Sequence, residues 1–417
     1  MTAYDVAAVR AQFPALSSGF AHFDGPGGTQ TPRPVIDAIA GAMASPLSNR
    51  GDGTPGERNS AAIVVEGRRA LADLLAADPA GVVFGRSATQ LTYDFSRALA
   101  KGWAPGDEVV VTRLDHDSNV RPWIQAAERV GAVVRWVEFD RATGELTPDH
   151  VRAALSERTR LVAVTAASNL IGTQPDIPAI ARLVHEVGAL LYVDGVHHTA
   201  HAIVDISAFG ADFYVCSPYK FLGPHMGVLA AAPALLETVA PDKLLPSTNA
   251  VPERFEFGTL PYELIAGARA AVDFLAGIST TNTAKGSDAT ATANAGTRRD
   301  QLVATFAALG GHEDVLRGRI EEGLAELEPR ITVHSRAARR TPTLLLTIAD
   351  RDTVEAYRFL ADRKVHAPSG SFYALEASRH LGLGDAGGLR IGLAPYNDAE
   401  DVERLLSALT EFVDKRR

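Results

Sequence analysis

Short apolar segments alternate with segments of helical periodicity through the middle of the chain. The apolar segments are rich in valine and show little polar–apolar alternation, which is typical of strands covered on both faces. They are Glu108–Thr112, Val133–Glu138, Arg160–Thr165, Leu190–Val193 and Phe213–Cys216. Such alternation predicts an α/β fold with a mostly parallel sheet, and ligands of these sheets bind at the carboxyl ends of strands.

The sequence changes character after about residue 265. The stretch Gly277–Gly296 has no aromatic residue and is rich in Ala, Thr, Asn and Gly, which predicts a mobile loop or insertion. Asp176 and Asn397 stand where helix caps are expected, and Thr343–Ile348 has the pattern of a strand. We predict a large domain of residues 20–265 and a small α+β domain formed by residues 1–19 and 266–417.

The charge balance bears on possible partners. Lys and Arg number 41 and Asp and Glu 50, which gives a net charge of −9. This acidic chain lacks the basic footprint of a protein that binds nucleic acid or an anionic membrane. The first residues do not resemble a signal peptide, and the longest low-charge stretch, Phe221–Leu236, is short and holds two prolines. We therefore predict a cytoplasmic protein without nucleic-acid or membrane partners.

Several weaker patterns limit the chemistry. Cys216 is the only cysteine, which excludes an intrachain disulfide and any multi-thiolate metal site. His197, His198 and His201 lie close together but lack a metal-site arrangement, so we predict no metal. The glycines of residues 382–387 match G-x-G-x-x-G, yet no strand precedes them and no helix follows. We interpret them as a surface loop, and they are the only support for a nicotinamide oxidoreductase.

Two neighbouring strands are followed by residues of complementary chemistry. Asp194 ends one strand, and Lys220 follows the next in a turn rich in Gly and Pro. A lysine that forms a Schiff base and a carboxylate that keeps the pyridine nitrogen protonated are what pyridoxal 5'-phosphate (PLP) requires. An ordinary salt bridge at the rim of a cleft has the same spacing, so the spacing alone leaves both interpretations open.

Five longer motifs of the chain resemble the motifs of a known enzyme family. The segments FDGPGGTQTP, LDHDSNVRPW, YVDGVHHTAH, FYVCSPYKFLGPHMG and LRIGLAPYN occur in this order between about Phe23 and Tyr396. In them the chain resembles the class V aminotransferase, or cysteine desulfurase-like, family of fold-type I PLP enzymes, and most of all its cysteine desulfurase-like subgroup. The resemblance implies the fold-type I transferase fold, an α-amino-acid substrate, and a homodimer with shared active sites.

The resemblance also implies roles around the cofactor ring. Lys220 matches the lysine that holds PLP and later carries the α-proton, and Asp194 matches the partner of the pyridine nitrogen. His116 matches the histidine stacked on the ring. His197, where the family usually has glutamine, would contact the phenolic oxygen, and Asn169 would lie on the same side of the ring.

The remaining roles concern the phosphate and the substrate. The residues matched to the cofactor phosphate are Ser87, Ala88, Thr89, Ser217 and Tyr219. Thr259 matches a threonine that reaches the phosphate of the neighbouring subunit. Arg390 matches the arginine that binds the substrate carboxylate. Arg50 matches the rim of the site, and Gly28 a turn near the substrate. Candidate specificity residues, inferred from position, are Tyr373, Phe372, His366, Tyr262 and Arg50.

One departure from the family shapes the functional expectation. A desulfurase needs a cysteine on the loop that here spans Val365–Gly382, and Tyr373 stands at about that position. Cys216 lies next to Ser217 and is expected to be buried. We therefore expect a C–S lyase or β-elimination reaction without a persulfide. The same cofactor-binding residues would serve other reactions, so the alternatives are a cysteine desulfurase, an epimerase, an aminotransferase and a decarboxylase. A non-catalytic scaffold is a further alternative.

Overall fold

The computed structural model describes residues 4–284 and 296–415, and it contains thirteen strands within them. The strands are β1 (Ala21–His22), β2 (Val82–Gly85), β3 (Glu108–Thr112), β4 (Val133–Val137), β5 (Thr159–Thr165), β6 (Leu190–Asp194), β7 (Phe213–Cys216), β8 (Gly227–Ala231), β9 (Ile331–Val333), β10 (Thr343–Ile348), β11 (Val365–His366), β12 (Ser369–Gly370) and β13 (Gly388–Gly392). The strands predicted from the valine-rich segments are all present, with ends shifted by at most one residue.

The α-helices connect and cover these strands. They are α1 (Val6–Arg10), α2 (Arg33–Ala44), α3 (Pro55–Leu75), α4 (Ala88–Ala100), α5 (Arg121–Val130), α6 (Pro148–Arg152), α7 (Ile177–Glu186), α8 (Ile206–Phe209), α9 (Pro233–Thr238), α10 (Tyr262–Ala284), α11 (Arg298–Ala325), α12 (Thr353–Ala361), α13 (Leu375–His380) and α14 (Ala399–Asp414). Within the described ranges, no helix has both the length and the apolar character that a bilayer crossing demands.

A seven-stranded sheet organises the chain, in the order β2-β8-β7-β6-β5-β3-β4. Strands β3 to β7 pair in parallel, and β8 runs antiparallel to both of its neighbours. Successive side chains of a strand point to opposite faces, and both faces are buried: Val162 and Val164 of β5 belong to one core cluster, and Leu161 and Ala163 to another. This is why the strands lack alternation, and it confirms the predicted α/β fold.

A second, antiparallel sheet has the order β12-β13-β10-β9. In addition, β1 near the start of the chain pairs in parallel with β11 near its end. The predicted strand Thr343–Ile348 is β10, so that prediction is confirmed. The division into two domains stays a prediction; Val9 and Phe13, which it assigns to the small domain, pack in the same core cluster as the seven-stranded sheet.

The predicted loop Gly277–Gly296 is wrong over its first part, because α10 continues to Ala284. Leu275 and Ile278 are buried in the core, and a helix that is already packed extends at little cost through residues with moderate propensity. Residues 285–295 lie outside the described part of the chain. The next helix, α11, begins with Thr297 as its cap in a capping box with Asp300.

Candidate active site

A cavity of about 520 Å³ lies at the carboxyl ends of β5, β6 and β7, where the parallel sheet is expected to bind its ligand. Its lining includes every predicted cofactor residue except Thr259: Ser87, Ala88, Thr89, His116, Asn169, Asp194, His197, Ser217, Tyr219 and Lys220. Ser118 and Thr165 also line it and were not predicted. The structure thus brings together residues that are up to 133 positions apart, from Ser87 to Lys220; their roles stay predictions.

Asp194 and Lys220 form the charged part of the cavity. Asp194 ends β6 and accepts a hydrogen bond from the Val196 amide at 2.9 Å. Burial raises the pKa of this carboxyl to about 6, against the opposing effects of that hydrogen bond and of the Lys220 charge. Lys220 lies in a short 3-10 turn after β7, and its ammonium donates to the Pro26 carbonyl. Burial, with the nearby Arg390 charge, lowers the pKa of Lys220 to about 7.

The other end of the cavity is suited to an anion. Helix α4 begins there with Ser87 as its cap, whose hydroxyl accepts from the Gln90 amide at 3.1 Å. The amides of Ala88 and Thr89 lie in the first turn, where N–H groups have no partner inside the helix. Ser217 and Tyr219 add hydroxyls from the turn after β7. This donor set fits a phosphate group.

Three polar side chains surround the middle of the cavity. His116 is bonded to Ser118, and burial together with nearby positive charges lowers the pKa of its imidazole to about 3, so the ring is neutral. Asn169 donates to the Phe372 carbonyl at 3.0 Å, and its Oδ1 is buried without a partner among the described residues. His197 likewise leaves its Nδ1 buried and without a partner there. Such unpaired polar atoms indicate a polar ligand, as PLP is.

Arg390 lies in the interior on β13, next to the cavity rather than in its wall. It donates to the Asn169 carbonyl at 3.1 Å and to Asp24 Oδ1 at 2.6 Å, and the Phe372 ring lies 3.6 Å from its guanidinium carbon. Sequence reasoning missed Asp24, although it stands inside the motif FDGPGG. An unpaired buried arginine is costly, so the carboxylate in the first of the five motifs was the available signal, although it lies 366 positions before Arg390.

The loop that would carry a desulfurase cysteine is fixed to the cavity rim. Phe372 and Tyr373 both have left-handed backbones, with φ of +52° and +58°, which is uncommon outside glycine. Their carbonyls accept from Asn169 Nδ2 at 3.0 Å and from the Asp117 amide at 2.7 Å. The Tyr373 side chain is 76% exposed, and its ring centroid lies 5.6 Å from that of His116.

Five of the predicted site residues do not line the cavity of the single chain: Arg390 and Tyr373, described above, and Thr259, Arg50 and Gly28. Thr259 and Arg50 line a separate surface concavity, where Arg50 donates to Glu253 at 3.2 Å. Gly28 has φ +154°, and a Cβ there would lie 3.1 Å from the Tyr219 ring, so it packs beneath the lysine turn. Cys216 is fully buried, and burial raises the pKa of its thiol.

Comparison with known proteins decides the family. The family model described as "Aminotransferase class-V" matches residues 21–297 and 303–405. The chain belongs to this family. It is 32% identical to the "Aminotransferase-like protein FGM3" of Gibberella zeae over 98% of both chains. It is 29% identical to a "Probable cysteine desulfurase" of Pseudomonas aeruginosa, again over 98% of both.

Solved structures agree on the fold. The apo cysteine desulfurase of Thermococcus onnurineus has a TM-score of 0.85 at 23% identity, and the cysteine desulfurase CsdA of Escherichia coli 0.82 at 24%, each over 98% of both chains. The resemblance to the class V family and the predicted fold are therefore confirmed. Enzymes of this family depend on PLP, and the chain is a PLP-dependent class V enzyme. Among residues 4–284 and 296–415, no group of three or more His, Cys, Asp or Glu is arranged for a metal ion.

The lowered pKa of Lys220 gives a testable pH dependence. Only the neutral amine attacks the aldehyde of PLP, so the rate of covalent reconstitution of apoprotein rises as pH rises through about 7 and then levels off. Following the visible absorption of the bound cofactor at several pH values measures this. A lysine side chain with an ordinary pKa, such as that of Nα-acetyl-lysine in solution, reacts with PLP at a rate that keeps rising toward about pH 10. The same rise with the apoprotein would contradict the expectation.

Proposed function

We propose that the chain is a C–S lyase, which cleaves the bond between Cβ and sulfur of an S-substituted cysteine or of cysteine itself by β-elimination. No enzyme persulfide takes part. The observation that carries this proposal is the loop at Phe372 and Tyr373: the position of a sulfur-accepting cysteine holds a tyrosine, and both carbonyls are hydrogen-bonded to the cavity rim. Cys216 is buried and lines no part of the cavity.

The roles of the side chains follow from the site. When bound, PLP supplies an electron sink for the electron pair left at Cα. Lys220 would hold the cofactor covalently, and its amine would also serve as the base for the Cα proton of the substrate. Its lowered pKa of about 7 leaves roughly half of the amine neutral near pH 7, far more than an ordinary lysine would have. Asp194 holds the proton on the pyridine nitrogen, and His197 donates to the phenolic oxygen.

Substrate binding has its own residues in this proposal. Arg390 binds the α-carboxylate, because its guanidinium is permanently charged and its Nε has no partner among the described residues. The neutral His116 covers one face of the cofactor ring. Overall, the substrate would lose a proton from Cα and a thiolate from Cβ, and with the uptake of one water it would give thiol, pyruvate and ammonia.

We also propose a homodimer that completes two shared sites. Thr259 and Arg50 line a concavity with Leu244, which is 69% exposed, and the adjacent Leu245 is 97% exposed. Apolar side chains exposed this far suit a protein interface. In this arrangement Thr259 serves the phosphate site of the partner subunit. A cytoplasmic location stays a prediction.

The products distinguish the candidate reactions. We expect holoenzyme incubated with cysteine and S-alkyl cysteines to release thiol or sulfide, pyruvate and ammonia in equal amounts. A cysteine desulfurase, the second candidate because relatives carry that name, would leave alanine instead of pyruvate. An epimerase would invert the substrate, and an aminotransferase would need an oxo-acid acceptor. Alanine as the main product would overturn the proposal.

Replacing Cys216 by alanine tests the missing persulfide. We expect the rate and the product ratio of the C216A variant to stay within about twofold of wild type, because the thiol is buried and outside the cavity. Deleting one small buried atom lowers stability by about 1 kcal/mol, so assays belong well below the melting temperature. Loss of sulfide release at unchanged cofactor content would show that the thiol takes part.

A further inference from the structure

The two ring nitrogens of His197 have different surroundings. Nε2 lies 2.9 Å from the hydroxyl of Thr343, the first residue of β10 in the second sheet, and 2.9 Å from the hydroxyl of Thr341, two residues before that strand. Nδ1 is buried and has no hydrogen-bond partner in the described part of the chain. His197 itself lines the cofactor cavity and is 2% exposed. The tautomer of this imidazole therefore decides whether Nδ1 offers a proton or a lone pair to a ligand.

The hydroxyl protons determine the tautomer. Each threonine hydroxyl has one proton to donate. The Thr341 hydroxyl has two further acceptors, the Gly172 carbonyl at 3.4 Å and Thr343 Oγ1 at 3.3 Å. For the Thr343 hydroxyl, His197 Nε2 is the acceptor at ideal distance. When the Thr341 hydroxyl donates to Thr343 Oγ1 and the Thr343 hydroxyl donates to His197 Nε2, both hydroxyl protons have an acceptor. The single proton of the imidazole is then on Nδ1.

The imidazole carries only one proton because its surroundings are unfavourable to a second. Burial lowers the pKa of His197 well below its ordinary value, and His201, His198, Lys220 and Arg390 add to the effect. The His201 ring packs edge-on at 4.9 Å and is itself bonded to the buried Glu313. Neither threonine carries a charge. A neutral imidazole with its Nε2 occupied thus has a single N–H, which faces the cavity.

We propose that Thr343 is a positioning residue that fixes the tautomer of His197, so that Nδ1 donates to the phenolic oxygen of the bound cofactor. The inference rests on the part that the proposed function gives to His197. Without the Thr343 hydroxyl, no donor is committed to Nε2, which can then take the proton and donate it to Thr341, whose own proton goes to the Gly172 carbonyl. Nδ1 then turns a lone pair toward the negatively charged oxygen. Thr343 begins β10 of the second sheet, whereas Lys220 follows β7 of the seven-stranded sheet, so in this proposal the second sheet influences the electronic state of the cofactor.

Absorption spectroscopy of the holoenzyme tests this directly. The visible band of bound PLP changes with the proton shared between the phenolic oxygen and the Lys220 nitrogen. A hydrogen bond donated to that oxygen stabilises its charge, so we expect T343V to move the pH midpoint of the band upward by about one unit. T343S keeps the hydroxyl and should titrate like wild type. T341V should also stay close to wild type, because the Thr343 hydroxyl still reaches Nε2.

A double variant distinguishes an effect of Thr343 on the His197 tautomer from an unspecific disturbance of the cofactor site. Glutamine has no tautomers, so adding T343V to H197Q should not move the midpoint further. A T343V band with the wild-type midpoint, or a similar shift in T341V and T343V, would overturn the inference. A wild-type protein that shows no cofactor band would instead overturn the proposed function, and with it the part assigned to His197.

Nitrogen NMR of histidine-labelled apoprotein determines the tautomer in the wild-type protein itself and does not depend on activity; folded H197Q is needed only to assign the signal. The signal lost in H197Q identifies His197 in the wild-type spectrum. We expect the chemical shifts of a neutral ring protonated at Nδ1. A ring protonated at Nε2 would overturn the proposal.

Discussion

Replacing Lys220 by alanine abolishes covalent cofactor attachment and lowers the elimination rate by at least about a thousandfold, since a positioned base alone contributes roughly 10²–10⁴-fold. The side chain is the buried amine of the cavity, and Asp194 lies in the same cavity wall. Borohydride reduction followed by mass spectrometry measures the attachment: wild-type protein gains the reduced cofactor on the peptide with Lys220, and K220A gains none.

Lys101 is a suitable control. It lies on the surface at the end of α4, where it bonds to Asp242 and the Ala240 carbonyl, far from the lining of the cavity. K101A should keep both the covalent cofactor and the rate. A K220A protein that is folded, still carries a reducible cofactor linkage and turns over substrate would show that another lysine holds PLP.

Replacing Asp194 by asparagine is expected to lower kcat/KM about 10²–10⁴-fold. In the proposed function the buried carboxylate is the counter-charge for the protonated pyridine nitrogen, and loss of one partner from a buried charge pair costs about 3–5 kcal/mol. Asparagine keeps the size and the hydrogen bond from the Val196 amide, so the fold is retained. Steady-state kinetics and the position of the cofactor band measure the effect.

Asp212 offers a matched comparison at the opposite end of the sheet. Its carboxylate accepts from the Leu191 amide at 2.7 Å and from His185 at 3.0 Å, just before β7. D212N should lower stability and leave the cofactor band in place. Equal kinetic losses in D194N and D212N would point to a general effect of removing a carboxylate from this sheet.

Local chemistry accounts for what sequence reasoning predicted well. Strand ends follow from the change from apolar to polar residues, so Asp194 was placed correctly at the end of β6. Asp176 caps α7 as predicted, since its side chain accepts from the Ala179 amide. The cap predicted at Asn397 is wrong by one residue: Asp398 caps α14, while Asn397 is buried and bonds to the His22 carbonyl.

What sequence reasoning missed depends on contacts between distant segments. Asp24 meets Arg390, and Thr343 meets His197, only after the two chain regions have packed together. No periodicity or spacing within either segment encodes such a pair. The helical continuation to Ala284 was missed for a related reason, because burial of the preceding turns outweighs a composition that resembles a loop.

The pairing of the two chain ends has a consequence for synthesis on the ribosome. Asp24 precedes its partner Arg390 by 366 positions, and β1 lacks its partner strand until Val365 and His366 have left the exit tunnel. The cavity wall between Ser87 and Lys220 is translated much earlier. The residues of the cavity wall therefore leave the tunnel well before Arg390, and the Asp24–Arg390 contact beside the cavity forms only after residue 390 has emerged.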